Sequence, residues 1–105
     1  MIPSQMLKGV LEGCMLSIIW KQEVYGYEIS QRLKADGFGD ISEGTIYPIL
    51  LRLEKNNLIV ATYKESGLGP KRKYYNLSEL GKDELKKFKY NWNELSIAVN
   101  KLIGG

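Results

Sequence analysis

Hydrophobic residues recur with helical spacing in a central stretch, residues 41–57, whose sequence is ISEGTIYPILLRLEKNN. Four apolar positions follow the i, i+3, i+4, i+7 pattern of a helix with one buried face: Ile46, Ile49, Leu50 and Leu53. The opposite face and its flanks carry seven other residues: Gly44, Pro48, Leu51, Arg52 and Lys55, flanked by Thr45 and Tyr47. This face has few charges and includes a leucine and a proline, which indicates a surface that contacts a partner.

The start of this helix is predicted at Ser42, because a serine hydroxyl at the N-cap can accept a hydrogen bond from a free backbone N–H of the first turn. Pro48 lacks the N–H that would bond to the carbonyl four residues earlier, so this start predicts a kink. A start near Thr45 would place Pro48 in the first turn, where proline is well tolerated. We favour the start at Ser42. The end is predicted at Asn56 and Asn57, since asparagine tolerates left-handed backbone.

The pattern predicts two helices before this stretch and a β-hairpin after it. The first helix is predicted over about residues 5–20 and the second over about residues 25–34. Residues 58–65 and 71–77 are rich in β-branched and aromatic side chains, and the turn sequence SGLGP lies between them. They are therefore predicted to be the two strands of the hairpin.

Small residues mark the first predicted helix. Gly9 and Gly13 indicate either close packing of another helix or a local weakness, because each glycine lowers helix stability by up to about 1 kcal/mol relative to alanine. Cys14 is the single cysteine, so it has no partner for an internal disulfide. It is predicted to be a buried, inert thiol.

A final helix is predicted from the N-cap Ser78 to about residue 103. Seven positions, spaced alternately by four and three residues, form a heptad seam: Gly81, Leu85, Phe88, Trp92, Leu95, Val99 and Leu102. A seam of this length predicts a partner helix.

Three helices followed by a hairpin is the element order of a winged helix-turn-helix. In that fold the third helix enters the DNA major groove, and the hairpin, called the wing, leans on the neighbouring backbone or minor groove. The predicted fold is therefore mainly α with a small two-stranded β-hairpin. Residues 1–77 would form the winged helix-turn-helix, and residues 78–105 a long C-terminal dimerisation helix, as one compact unit.

Basic residues are concentrated near the central helix and the hairpin. The net charge is +3, and residues 44–76 alone carry six Lys or Arg and two Glu, a local charge of +4. This distribution favours a polyanionic partner. The candidate contacts to DNA phosphates and base edges are the following: Ser42, Thr45, Tyr47, Pro48, Arg52, Lys55, Lys71, Arg72 and Lys73. Residues 71–73 alternate across a strand, so at most two of them share one face.

For several side chains the sequence leaves two alternatives open, an external contact or a contact within the protein. Tyr47 contacts either DNA or its own domain. Tyr74 and Tyr75 lie on opposite strand faces, so one of them is expected in the core. Glu54 is predicted to be solvated or an intramolecular ion-pair partner, because a carboxylate repels phosphate.

The sequence lacks the patterns of common catalytic and metal sites. It has no histidine, and it contains no HExxH, GxSxG, Walker or dinucleotide-binding motif. Neither enzymatic activity nor a cofactor or metal is therefore expected. No apolar run approaches the roughly 18 residues of a membrane span, and no signal peptide is recognisable. A cytoplasmic protein without a membrane partner is expected.

Three stretches resemble the PadR family of bacterial transcriptional regulators: YGYEI at residues 25–29, ISEGTIYPILLRLEKNNLI at residues 41–59 and GPKRKYYNLSELG at residues 69–81. The resemblance covers nearly the whole chain and is closest to the short subfamily, in which one C-terminal helix replaces a larger domain. It implies a homodimeric repressor that binds a palindromic operator of double-stranded DNA. Tyr47 and the helix from Ser42 to Arg52 would read the operator, and the wing would contact phosphates.

The same resemblance implies that the C-terminal helix packs on the first helix of a second copy. The expected interface comes from both helices: Leu85, Phe88, Trp92, Leu95, Val99 and Leu102, with Leu7 and Leu11. In multidrug-responsive members a tryptophan of the matching helix stacks planar ligands. Trp92 and Phe88 are therefore candidates for binding a small aromatic or drug-like effector, with seam packing as the alternative for Trp92. The alternative function is a winged helix for protein–protein contact without specific DNA binding.

Overall fold

The computed structural model describes residues 2–104 and shows five helices and three strands in that range. In chain order they are α1 (Ser4–Leu7), α2 (Leu11–Lys21), β1 (Val24–Tyr25), α3 (Gly26–Ala35), α4 (Glu43–Lys55), β2 (Ile59–Ser66), β3 (Gly69–Leu77) and α5 (Glu79–Ile103). Met1 and Gly105, the outer ends of the predicted division into residues 1–77 and 78–105, lie outside the described residues.

The prediction of one continuous first helix is wrong, because the structure divides it into α1 and α2. The break contains Gly9, whose φ of +93° lies in the left-handed region that glycine reaches readily. Gly13 has a different role, since a Cβ at this position would collide with the ring of Phe88 on α5. Both predicted alternatives therefore occur: one glycine interrupts the helix and the other allows α5 to pack closely.

The predicted two-stranded hairpin belongs to a three-stranded antiparallel sheet with the order β1-β3-β2. In the additional strand, Val24 pairs with Tyr75 and Tyr25 pairs with Tyr74. A strand of two residues is too short to produce an alternating pattern, so periodicity does not predict it. Tyr75 is the buried member of the tyrosine pair, with 3 % exposure, whereas Tyr74 is half-buried.

The hydrophobic core lies between α2, α3, α4, the sheet and the first part of α5. Six large side chains in it are almost fully enclosed: Met15, Ile29, Leu33, Ile46, Leu50 and Leu53. Phe38, in the loop before α4, and Ile49 pack against this core as partly buried residues. The predicted apolar face of α4 is thus held from behind, and its other face points outward.

Both ends of α4 lie where the sequence predicts them, but the predicted capping bond of Ser42 is not formed. The helix begins directly after Ser42 and continues through Pro48. The Ser42 hydroxyl makes no capping bond to the backbone and instead lies 3.1 Å from the hydroxyl of Thr45. Asn57 has a φ of +62°, the left-handed conformation predicted for the end of this helix.

The start of α5 is attached to the end of α4. Ser78 caps α5 as predicted, since its hydroxyl accepts from the N–H of Gly81 at 3.0 Å. The same hydroxyl donates to the carbonyl of Asn57 at 2.6 Å, and the N–H of Ser78 donates to the carbonyl of Leu58 at 3.1 Å. A Cβ at Gly81 would collide with the Leu58 carbonyl, so this close approach requires glycine.

Among the described residues, the first half of α5 packs on the rest of the chain and the second half extends beyond it. Leu85 is buried and Phe88 partly buried against the core. The remaining seam positions are largely exposed: Trp92 at 49 %, Leu95 at 54 %, Val99 at 41 % and Leu102 at 88 %. Within residues 2–104, no helix combines the length and apolar character needed to cross a membrane.

Candidate nucleic-acid interface

The solvent-facing side of α4 carries a continuous row of exposed residues. We call this row the outer stripe, and its members are Gly44, Tyr47, Pro48, Leu51 and Lys55. Helical spacing keeps them on one side, opposite the residues that the core holds. Leu51, at 63 % exposure, is the most prominent apolar side chain of the stripe. The middle of α4 therefore presents an apolar surface with a lysine at its C-terminal end.

Tyr47 lies at one flank of α4 and divides its surface between the protein and solvent. Its ring packs over Gly26 at the start of α3, where a Cβ would lie 2.7 Å from the Tyr47 Oη atom. Gly26 therefore provides the space that the ring occupies. The residue is still 42 % exposed, so packing within the domain leaves it a surface for an external contact.

Arg52 lies at the other flank of α4, where it is joined to α2. Its Nη2 atom donates to Oε2 of Glu12 at 2.9 Å, in an ion pair between residues 40 positions apart. Both side chains are partly exposed, so the pair contributes only about 0–1 kcal/mol to stability. Its main effect is on orientation, because it directs the guanidinium toward α2. Ser42 and Thr45 lie on this flank as well.

Two basic residues of β3 remain available on the wing. The Lys71 side chain is 63 % exposed, and the nearest carboxylate oxygen, on Glu65, is 3.8 Å from its Nζ. Arg72 covers the ring of Tyr25 on β1, with 4.6 Å from its guanidinium carbon to the ring centroid. This cation–π contact orients Arg72 without neutralising its charge.

Lys73 connects the wing to α4. Its Nζ donates to Oε1 of Glu54 at 2.8 Å, and this hydrogen bond raises the pKa of Lys73. Glu54 is thus an intramolecular ion-pair partner, one of the two roles predicted for it. Because the pair joins β3 to the last turn of α4, Lys73 holds the wing at a set distance from α4, and its charge is partly compensated.

A second acidic residue supports the sheet from the segment before β1. Glu23 accepts from Lys64 on β2 and from Nδ2 of Asn76 on β3, the latter at 2.6 Å. These two hydrogen bonds lower the pKa of Glu23. Sequence reasoning assigned no role to Glu12 or Glu23, because their partners lie 40 or more positions away and no local spacing indicates such pairs.

A groove with a volume of about 1010 Å³ opens between α1, α2, α4 and α5. Its apolar lining comes from six residues in particular: Leu7, Leu11, Leu16, Phe38, Ile41 and Phe88. Glu12 and Arg52 provide a polar edge. The described part of the chain therefore has two apolar surfaces in addition to the outer stripe, namely this groove and the exposed half of α5.

The thiol of Cys14 is not in an environment that would make it reactive. Burial raises the pKa of the Cys14 thiol, so the reactive thiolate is disfavoured. Among residues 2–104, no group of three or more His, Cys, Asp or Glu side chains is arranged to hold a metal ion.

An exposed helix that two other helices hold from behind, with a basic hairpin tied to its last turn, is the arrangement of a winged helix-turn-helix. Helices α3 and α4 form the helix-turn-helix, and β2 and β3 form the wing. The sequence profile of the transcriptional regulator PadR-like family matches residues 15–87. The chain belongs to this family.

Two solved structures of relatives agree with this chain over almost the whole length of both proteins, and a third agrees over part of it. A PadR-like transcriptional regulator from Bacillus cereus is 55 % identical, with a TM-score of 0.87 over 96 % of this chain and 98 % of that one. A transcriptional regulator from Clostridium thermocellum is 30 % identical, with a TM-score of 0.88 over 98 % and 99 %. Bacillus subtilis PadR in complex with operator DNA is 29 % identical, with a TM-score of 0.70 over 76 % of this chain and 46 % of that one.

Proposed function

We propose that this protein is a transcriptional repressor that binds a palindromic DNA operator as a homodimer. The observation that carries the proposal is the outer stripe of α4, which is exposed beside a wing whose basic residues face solvent. An α-helix fits the major groove of B-DNA, which is about 12 Å wide. The two α4 helices of a dimer would enter half-sites about 34 Å apart, one turn of the duplex. The operator complex of Bacillus subtilis PadR supports this proposal.

The candidate residues divide into four roles in this proposal. Tyr47, Pro48 and Lys55 approach the bases or their flanking phosphates from the outer stripe. Lys71 and Arg72 contact phosphates from the wing. Ser42, Thr45 and Arg52 act from the flank of α4 that borders the groove. Lys73 acts indirectly, because its ion pair with Glu54 holds the wing beside α4.

The homodimer is proposed from the two apolar surfaces that the single chain leaves open. The second half of α5 exposes Trp92, Leu95, Val99 and Leu102, and such a seam on a 25-residue helix favours a helical partner. Leu7, Leu11 and Leu85 are 7 %, 6 % and 3 % exposed, so they belong to the core and have little area to offer. The open apolar surface of the groove beside α1 and α2 comes from the partly buried Phe38, Ile41 and Phe88, and we propose that it receives α5 of the second copy.

An effector site is the finer part of the proposal. Trp92 lies in the exposed half of α5 and would approach its own copy across a two-fold axis, where a planar molecule could stack between the rings. Phe88 is partly buried against Gly13, so it contributes less free surface than Trp92. Release from the operator requires the effector to favour one arrangement of the dimer by several kcal/mol.

Fluorescence anisotropy of a labelled fragment from upstream of the protein's own gene tests the DNA-binding proposal. The wild type should bind this fragment more tightly than a scrambled one, and the affinity should fall steeply between two salt concentrations. A K71Q/R72Q variant should bind more weakly, with a salt slope reduced by about 0.9 for each lost phosphate contact. The matched control is K86Q/K87Q, which removes two exposed lysines of α5 and should leave the slope unchanged.

Two outcomes would contradict the proposal. Equal and weak binding to both fragments, followed by the same result with other genomic fragments, would leave only a basic surface. Retention of a protein partner by K71Q/R72Q, in the absence of any specific DNA binding, would favour the protein–protein interaction module instead.

A further inference from the structure

The centre of the outer stripe has no hydrogen-bonding side chain. Gly44 has no side chain, and Pro48 and Leu51 carry only hydrocarbon. Leu51 is 63 % exposed, although it directly follows the buried Leu50 in the chain, because it points away from the face formed by Ile46, Leu50 and Leu53. Together with Pro48, Leu51 forms the apolar part of the outer stripe, and contiguous apolar patches rimmed by polar residues mark interaction sites.

The neighbouring polar side chains are partly engaged within the protein. The Tyr47 ring packs on Gly26, and the Arg52 guanidinium is paired with Glu12 of α2. Lys55 is in the last turn of α4, four residues beyond Leu51. Leu51 is therefore the most exposed large apolar side chain in the middle of the helix.

The charges around Leu51 indicate the chemistry of its partner. Lys55 lies on the same side of α4, and the exposed Lys71 lies on the adjoining wing. An apolar surface bordered by cations fits the DNA major groove, because phosphates line its edges and apolar groups occur within it. Among the four bases, only thymine presents an apolar group there, the methyl group on C5.

We propose that Leu51, with Pro48 beside it, recognises the C5-methyl groups of thymines in the operator half-sites. The inference rests on the proposed DNA-binding function and names the base chemistry that α4 reads. Leu51 has no donor or acceptor, so it discriminates by the presence of the methyl group. The half-site should therefore contain a thymine at the position that faces the middle of α4.

Replacement of thymine by deoxyuridine tests this directly, because it removes the methyl group and keeps every hydrogen-bonding atom of the base. Operator fragments are prepared with deoxyuridine at one symmetric pair of thymines at a time. At the contacted pair, wild-type affinity should fall about fourfold for each methyl group removed, the factor that corresponds to burying one such group. The other pairs should change affinity little.

The L51A variant tests whether Leu51 is the residue that contacts the methyl group. It should bind the thymine operator more weakly than the wild type, and its preference for thymine over deoxyuridine should fall well below the wild-type preference, because only Pro48 would remain beside the methyl group. Leu80, which is 50 % exposed in the first turn of α5, provides the matched control. L80A should retain the full wild-type preference for thymine, and circular dichroism should show that both variants are folded.

The possible outcomes distinguish a failure of methyl recognition from a failure of DNA binding. If the wild type binds the operator but does not distinguish thymine from deoxyuridine at any position, DNA binding stands and methyl recognition is rejected. If L51A keeps the wild-type preference for thymine, another residue reads the methyl group and the assignment to Leu51 is wrong. If no fragment is bound specifically, the DNA-binding proposal fails first, and a leucine stripe that covers a protein partner becomes the remaining explanation.

Discussion

The two halves of α5 carry the same repeating pattern but have opposite surroundings. In the first half, Leu85 is buried and Phe88 lies against Gly13 of α2. In the second half, Leu95 and Val99 continue the same seam with about half of their surface exposed. A heptad pattern therefore specifies burial and does not specify which chain supplies the partner.

The comparison also separates two kinds of stability. Residues of the first half contribute to folding of a single chain, because their partners are in the same chain. Residues of the second half can contribute only when another molecule covers them, so their effect depends on concentration. Substitutions in the two halves should therefore be distinguishable by experiment.

The largest effect is expected from charges placed in the second half. L95E/V99E should weaken self-association by about a thousandfold or more, because each buried and unpaired carboxylate costs several kcal/mol. The same variant should keep its helical content as a monomer. Sedimentation velocity over a range of concentrations measures the association, and circular dichroism measures the fold.

The control for this experiment adds the same charge outside the seam. N93E/N100E changes two exposed positions of the same half of α5 and should associate like the wild type. A wild-type protein that is monomeric at all concentrations would show that the second half of α5 is covered by something other than a second copy.

An intermediate effect is expected from truncation in the first half. L85A should lower the free energy of unfolding by about 2–5 kcal/mol, the range for removing a buried leucine side chain. In the monomeric L95E/V99E background, L102A should change it by less than about 0.5 kcal/mol, because Leu102 is 88 % exposed. Urea unfolding of both variants in that background measures the difference, and equal values would contradict the division of α5.

The smallest effect is expected from a planar ligand at Trp92. A planar aromatic dye should change the emission of Trp92 in the dimer and should have no effect in the monomeric L95E/V99E variant. Trp20 is 50 % exposed and lies under Lys82, so it would add a second signal. The measurement therefore uses W20F, with W20F/W92A as the control. Unchanged emission in a folded W20F dimer would exclude this effector site.

Much of the fold could be predicted because its signals are local. The apolar spacing of α4, the Ser78 cap and the left-handed Asn57 all follow from residues within a few positions of one another. The break at Gly9 could not be predicted with certainty, since a glycine also occurs inside helices, as Gly13 does here. Strand β1 was missed because its pairing with β3 joins residues about 50 positions apart.

The candidate site could be predicted as a surface but not in its internal contacts. Helical periodicity is enough to assign the outward face of α4. It does not indicate that Arg52 pairs with Glu12, or that Lys73 pairs with Glu54, since these contacts depend on how separate elements pack. Sequence analysis therefore names every basic residue near the site as a candidate for DNA contact. The structure instead pairs Arg52 and Lys73 with carboxylates of the same chain.

The bonds that join Ser78 to Asn57 and Leu58 have a mechanical consequence. They fix the start of α5 directly to the end of α4, so that α5 is a long lever and α4 a short one. The 25 residues of α5 give the long lever a length of about 37 Å, so a rotation of about 5° moves its far end by about 3 Å. The close approach of Gly81 to the Leu58 carbonyl keeps the start of α5 in direct contact with the segment that follows α4.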